Sequence, residues 1–441
     1  MQNSYIFSQL VKFLDRNHFN HLVRKYEGDR YVKHFTCWNH LLVMIFGQLC
    51  NRESLRDLVN VVSAHKNKSY HLGFGKNVSK TNLAYANNQR DYHIFEDYAY
   101  YLMEQARRKR ATDIFQLGGN VYAFDSTTID LCLSIFGWAT FRTHKGGIKV
   151  HTLYDVETQV PAFFHITEAA IHDSKAMSVI PYETGAYYVF DRGYNDFKQL
   201  YHIQEIGSFF VVRAKKNLRY KAIKWKRKLP ENVLSDAEIE LTGFYSKQYY
   251  PKRLRLICYH DEEQNRDLMF LTNALSVTAL QVAHLYKNRW QVELFFKWLK
   301  QHLKIKRFWG KTENAVRIQI YCAICAYCLV AIVQHDMLLQ LSTYETLQIL
   351  GISLTDNSHL TDLLNRVNLQ YNMSKNKMTL MGNYLLIFNT AFFFNGTLMI
   401  TDFKLFLNSR RRNAQILRSI DDVSYLISVL CNYLFHIICF L

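Results

Sequence analysis

Proline is scarce in this chain, four in 441 residues, and glycine numbers only 17. These shortages exclude a collagen-like or proline-rich chain. Nine cysteines stand at 37, 50, 132, 258, 322, 325, 328, 431 and 439 without paired spacing. That excludes a disulfide scaffold and points to a reducing, cytoplasmic setting. The opening MQNSYIFSQLVKFLDRNHF lacks a signal-peptide layout, because Asp15 and Arg16 interrupt its apolar run. Acids are in deficit: 54 Lys and Arg stand against 37 Asp and Glu, a net charge of +17. An excess of that size implies a polyanionic partner, most economically nucleic acid, with an anionic membrane surface as the competing reading. What is present is a hydrophobic content of 49% and an aromatic content of 15%, which exclude a disordered chain. The length accommodates roughly two to four domains at about 150 residues each.

The texture changes along the chain. Residues 1–117 carry apolar residues at helical spacing in FSQLVKFL, HLLVMIFGQL and SLRDLVNVV, with Ser54 and Asp57 placed to start a helix. Two short helices around Cys50-Asn51-Arg52-Glu53 form either a helix-turn-helix or an ordinary helical hairpin. From Gly118 five β-type runs follow: Val121–Phe124, Ile148–Tyr154, Val160–Ile166, Ala186–Phe190 and Ser208–Arg213. Residues 213–228 hold nine cations in sixteen positions and no acid. Two more β-type runs, Arg253–Tyr259 and Leu268–Thr272, complete a β-rich insertion over about 214–272. Val277–Leu303 reads as one long helix and Gln319–Val333 as a second, strongly apolar one.

Two strands end abruptly in an acid, VYAF-Asp125 and YYVF-Asp191. A buried strand that ends in a carboxylate sets the acid at its mouth, where ligands bind in α/β sheets. Farther on, Tyr286, Arg289, Glu293 and Lys300 are spaced by 3, 4 and 7, which puts them on one helix face. By itself that face reads as a solvated amphipathic surface with an ion pair. Joined to the two strand-end aspartates, Glu293 becomes the third acid from a third element. Three carboxylates can share two divalent ions, and Mg²⁺, a hard cation, prefers such oxygen ligands.

The order Asp, Asp, Glu, with Tyr286-x2-Arg289-x3-Glu293-x6-Lys300 around the last acid, resembles the DDE transposases of bacterial insertion sequences. More narrowly it resembles their subgroup with the Tyr-Arg-Glu-Lys signature, the insertion-sequence "four" family. FDSTTIDLCLS is similar to that family's first-Asp segment, VFDRGYNDF to its second, and THKGGIKVHTLYD to the strand pair between them. FSQLVKFLDRNHFNHLVRKY…SLRDLV resembles the helical domain that precedes many such cores. The likeness covers roughly residues 5–370.

The resemblance implies an α/β fold: an RNase H-like catalytic core over 118–340 with its β-rich insertion between the second Asp and the Glu. It implies an all-α DNA-binding domain over 1–117 and a helical C-terminal region over 341–441. It assigns Asp125, Asp191 and Glu293 to catalysis and to two Mg²⁺ ions, with Mn²⁺ able to substitute. Tyr286, Arg289 and Lys300 inherit contacts to DNA phosphates. Lys215, Lys216, Arg219 and Lys226 of the basic run become a DNA-tracking surface. Trp225, alone among tryptophans in 214–272, is the candidate to stack on an extruded base. The activity implied is cut-and-paste transposition by phosphodiester hydrolysis and transesterification. Its partners are the terminal inverted repeats and target DNA, bound by a homodimer on paired ends in the bacterial cytoplasm. An RNase H-like nuclease or resolvase without strand transfer, and an inactive DNA-binding remnant, are the alternatives.

Other features have blander readings beside them. Asp130 and Asp173 are extra metal ligands or, respectively, a turn acid and part of a helix cap at His172-Asp173. Lys145, Lys149 and His151 touch DNA or are solvated. Cys322, Cys325 and Cys328 lie in an apolar helical run and read as core residues, not as a metal site. Val423–Leu441 has no charged residue and the length of a membrane span, but Ser424, Ser428, Asn432 and His436 weaken it. Residues 371–441 read as an atypical extension.

Overall fold

A computed structural model describes residues 5–75, 78–131, 136, 138–142, 145–302 and 308–366. The readings for residues 371–441, including Val423–Leu441, lie outside the described residues.

Six α-helices come first: α1 (Ile6–Val11), α2 (Arg16–Lys25), α3 (Cys37–Leu49), α4 (Leu55–Ala64), α5 (Lys80–Gln89) and α6 (His93–Lys109). Their starts are written locally. Asp15, Thr36, Ser54 and Ser79 each cap a helix by accepting from the backbone N–H three residues on. Helix α3 is buried on nearly every face, so it is the axis of this region and α4 lies outside it.

Ten strands then form one sheet: β1 (Val121–Leu131), β2 (Thr140–Arg142), β3 (Lys145–Asp155), β4 (Val160–Glu168), β5 (Tyr187–Phe190), β6 (Phe209–Arg213), β7 (Tyr220–Trp225), β8 (Val233–Leu241), β9 (Leu254–Asp261) and β10 (Arg266–Thr272). Strands β4, β3 and β1 are antiparallel neighbours, and β5 and β6 continue beside β1 in parallel. This is the RNase H-like order. Helix α7 (Phe197–Glu205) is the crossover between β5 and β6. The insertion is not a separate layer. Its last strand, β10, pairs antiparallel with β6, and β9, β8 and β7 extend the same sheet.

Strand periodicity sorts the core. Tyr122, Phe124, Tyr188, Phe190, Phe210 and Val212 join the cluster containing Leu200 and Ile203 of α7. The alternate residues Val121, Ala123, Tyr187, Val189 and Val211 face the opposite cluster, with the remaining long helices. Those helices are α9 (Ala279–Asn288), α10 (Trp290–His302) and α11 (Glu313–Asp336), after the short α8 (Phe244–Tyr249); α12 (Thr343–Ser353) follows. Helix α11 is long and apolar enough to cross a membrane, yet it is almost wholly buried against α6 and α3. It is a core helix, and Cys322, Cys325 and Cys328 are buried free thiols within it.

The single helix expected over 277–303 is two. The break falls at Arg289, where the Arg289 N–H donates to the Tyr286 carbonyl at 3.1 Å and the Val292 N–H to the Arg289 carbonyl at 3.1 Å. Such i→i−3 bonds tighten a helix locally, and no proline or glycine announces it.

Candidate active site

The alternation that sorts the core also aims the acids. Phe124 and Phe190 are paired in register on the parallel strands β1 and β5, so Asp125 and Asp191 follow side by side at the same end. Both continue the parity of Ala123 and Val189, which puts them on the face covered by α9 and α10. Helix α10 packs on β1 and α9 on β5 and β6. That packing brings Tyr286, Arg289 and Glu293 over the two aspartates.

The contacts are specific. Arg289 donates through Nη1 to Asp125 Oδ2 at 2.7 Å and through Nη2 to Glu293 Oε1 at 2.6 Å. One guanidinium therefore spans the first and third acids. The Tyr286 hydroxyl donates to Asp191 Oδ1 at 2.8 Å. The Ser126 N–H donates to Asp125 Oδ1 at 2.8 Å, and the Tyr194 hydroxyl approaches the same oxygen at 3.4 Å. Burial pushes the Asp125 carboxyl above the usual range, and the Arg289 charge only partly offsets it. Burial also acts on Asp191, but the Arg192 N–H, the Tyr286 hydroxyl and the charges of Arg289 and Arg213 outweigh it and hold that carboxyl below the usual range. Burial, with the neighbouring Asp191, pushes the Tyr286 phenol up to about 12.

The remaining sequence-predicted residues fall in different places. Lys300 is a half-buried residue of α10. Lys215, Lys216 and Arg219 are exposed between β6 and β7. Trp225 is 57% exposed at the end of β7, the last strand of the sheet. Lys226 is exposed but ion-paired with Asp236 at 3.3 Å. Part of the basic run is offset from within, because Lys221 and Lys224 stand opposite Glu240 and Glu238 on β8. His151 is fully buried, which removes it as a DNA contact or a solvated residue. Lys149 is bound to Asp173 at 3.1 Å and to the Ile171 carbonyl at 2.7 Å, so it is not simply solvated. Asp130 lies on β1, not in a turn, because that strand runs to Leu131. His172 caps the 3₁₀ turn Asp173–Val179 by accepting from the Ser174 N–H. Asp173 accepts from the Ser126 hydroxyl at 2.8 Å, behind Asp125. Two residues at the acids were not singled out from the sequence, Tyr194 and Arg213. Tyr194, three positions after Asp191, carries a signal only in hindsight.

Three carboxylates supply the hard oxygen donors a divalent cation takes. Among the described residues, no three His, Cys, Asp or Glu side chains stand arranged to hold an ion, and Arg289 bonds both Asp125 and Glu293. The donor chemistry fits; the present arrangement closes it.

A strand-end acidic cluster on a β4-β3-β1-β5-β6 sheet defines an RNase H-like α/β core. Residues 116–329 match the family described as Transposase DDE domain, and residues 2–75 match a domain of unknown function (DUF4372). Over residues 116–329 the chain thus resembles the DDE transposase family, whose members generally use a divalent metal and act on DNA. It is 38% identical over 214 residues to a Sinorhizobium fredii protein named as a transposase, covering 47% of this chain and 59% of the relative. It is 32% identical over 209 residues to a Geobacillus stearothermophilus protein named as a transposase for an insertion sequence element, covering 46% and 54%. A third such protein, from Synechocystis, is 28% identical over 263 residues, 57% of this chain and 71% of the relative. The match therefore spans less than two thirds of the first two relatives.

Proposed function

We propose that this chain is a DNA transposase that cleaves at the ends of its element and joins the freed strands to target DNA. One observation carries the reading: a single guanidinium, Arg289, reaches both Asp125 and Glu293 beside Asp191, so three acids distant in sequence share one face of an RNase H-like sheet.

In this reading Asp125, Asp191 and Glu293 hold two Mg²⁺ ions, for which Mn²⁺ substitutes. The ions supply activation of the attacking oxygen and stabilisation of the leaving 3′ oxygen. The chain's own residues position the DNA. Tyr286, Arg289 and Lys300 bind phosphates flanking the cut, Arg289 by its planar fork. Lys215, Lys216, Arg219 and Lys226 track the backbone, and Trp225 offers an exposed ring to an unstacked base. Residues 1–117 bind end DNA, residues 118–340 form the catalytic domain, and residues 341–441 follow as the C-terminal region. The protein works as a homodimer on paired ends in the cytoplasm, without a membrane.

The deciding experiment incubates the full chain with Mg²⁺ and linear DNA carrying the terminal inverted repeats beside its gene. Joined products with target plasmid support transposition. Cleavage without joining identifies a nuclease or resolvase, and salt-sensitive binding without nicking identifies a DNA-binding remnant.

A further inference from the structure

We propose that Arg289 is an internal plug: it occupies the gap between Asp125 and Glu293 until a DNA phosphate draws it away, so that DNA binding admits the divalent cation. The inference rests on the reading of these acids as metal ligands.

The geometry makes the two occupants exclusive. Both carboxylates already receive a guanidinium nitrogen, at 2.7 and 2.6 Å. The Arg289 side chain is only 11% exposed, and its Nε is buried with no partner. The rest of the fork is thus committed to the two acids, with the Tyr286 ring 5.6 Å from its centre. A cation shared by Asp125 and Glu293 would sit where this cation sits, and the two positive charges would repel at short range in a poorly solvated site. Displacement therefore has to precede or accompany metal entry. Arginine binds phosphate as a bidentate fork, as it binds carboxylate, so an incoming phosphate is a chemically matched place to move it. The residue stands at the junction of α9 and α10, where the helix tightens into i→i−3 bonds. A small change of backbone there moves the guanidinium without unpacking either helix. Coupling between DNA and metal is then reciprocal: each raises the affinity for the other.

The test is Mn²⁺ binding to the full chain, read from the free-ion electron paramagnetic resonance signal. Four proteins are compared, each with and without Asp125→Asn: wild type, Arg289→Gln, Arg289→Lys and Arg213→Gln. Arg213 contributes charge near Asp191 without bridging the acids, so its variant measures the general effect of removing a nearby cation. Without DNA, Arg289→Gln is expected to bind Mn²⁺ roughly tenfold or more tightly than wild type, within the usual span of coupled sites. Arg213→Gln should gain far less, and Arg289→Lys, which keeps a charge but loses the fork, should fall between. Adding duplex end DNA should tighten Mn²⁺ binding by wild type and leave Arg289→Gln nearly unmoved. If Arg289→Gln misfolds on thermal melting, Arg289→Lys and the DNA effect on wild type still decide. Equal Mn²⁺ affinity in wild type and both Arg289 variants, abolished in each by Asp125→Asn, overturns the plug and keeps the metal site. Mn²⁺ binding indifferent to Asp125→Asn in every protein, with and without DNA, overturns the metal reading and the plug with it.

Discussion

The hydroxyl of Tyr286 donates to Asp191 Oδ1 at 2.8 Å, joining α9 to the end of β5 across 95 residues of sequence. That bond helps hold the Asp191 carboxyl ionised against its burial. Tyr286→Phe keeps the ring, which packs on Phe270, and deletes the donor. The expected cost is about 1 kcal/mol in urea unfolding, with a smaller loss of DNA cleavage than Asp191→Asn produces.

A second buried contact fastens the insertion to the site-bearing helices. Arg255 binds Asp236 through both oxygens, at 2.8 and 2.6 Å, with the two side chains 2% and 3% exposed. Arg255 also donates to the Val277 carbonyl, just before the Thr278 cap of α9. Removing Arg255 takes away both of its bonds to the buried Asp236 and leaves that acid with the half-exposed Lys226, at 3.3 Å. Arg255→Met should therefore destabilise by about 3–5 kcal/mol, and the double variant Arg255→Met/Asp236→Leu by less, as read from denaturant midpoints.

Acid should loosen the sheet through His151. This residue is fully buried between β1 and β4, and burial lowers its imidazole to about 4 from 6.5. The unfolded chain protonates first, so the stability tied to neutral His151 is complete above about pH 6.5 and is lost as pH falls toward 4. His40, lowered by burial in α3, acts in the same sense. Unfolding free energy should fall by about 1–3 kcal/mol over that window, and His151→Gln should flatten part of the decline.

The basic run is not uniform. Lys221 and Lys224 face Glu240 and Glu238 across the β7–β8 pair, whereas Lys215, Lys216 and Arg219 are exposed ahead of it. Replacing Lys215, Lys216 and Arg219 by Gln should weaken DNA binding evenly across sequences. The slope of log affinity against log salt should fall by about 0.9 per lost phosphate contact. Replacing Lys221 and Lys224 should do less.

Much of the core was legible because it obeys a period of two. VYAF and YYVF read as buried strands, and the acid after each inherits a face from its alternation. The insertion was harder. Strand β8 does alternate, with Val233, Ala237, Ile239 and Leu241 buried, but Asp236, Glu238 and Glu240 stand between them and mask the pattern; their matching cations, Arg255 of β9 and Lys224 and Lys221 of β7, show only once the strands are paired. Strand β7 was hidden inside the basic run for the same reason. The break at Arg289 was invisible because it rests on hydrogen-bond spacing, not on a breaker residue. The Tyr-Arg-Glu spacing put three side chains on one face, but that Arg289 reaches back to Asp125 depends on the packing of α10 on β1.

We propose for Asp125, Asp191 and Glu293 a joint role as the metal-binding acids of DNA cleavage. Its most direct test is Mg²⁺-dependent nicking of end DNA by Asp125→Asn, Asp191→Asn and Glu293→Gln, with DNA binding measured in parallel. Each variant should lose at least about a hundredfold in cleavage rate while still binding the DNA when Mg²⁺ is withheld. Undiminished cleavage by any one of them would contradict the account.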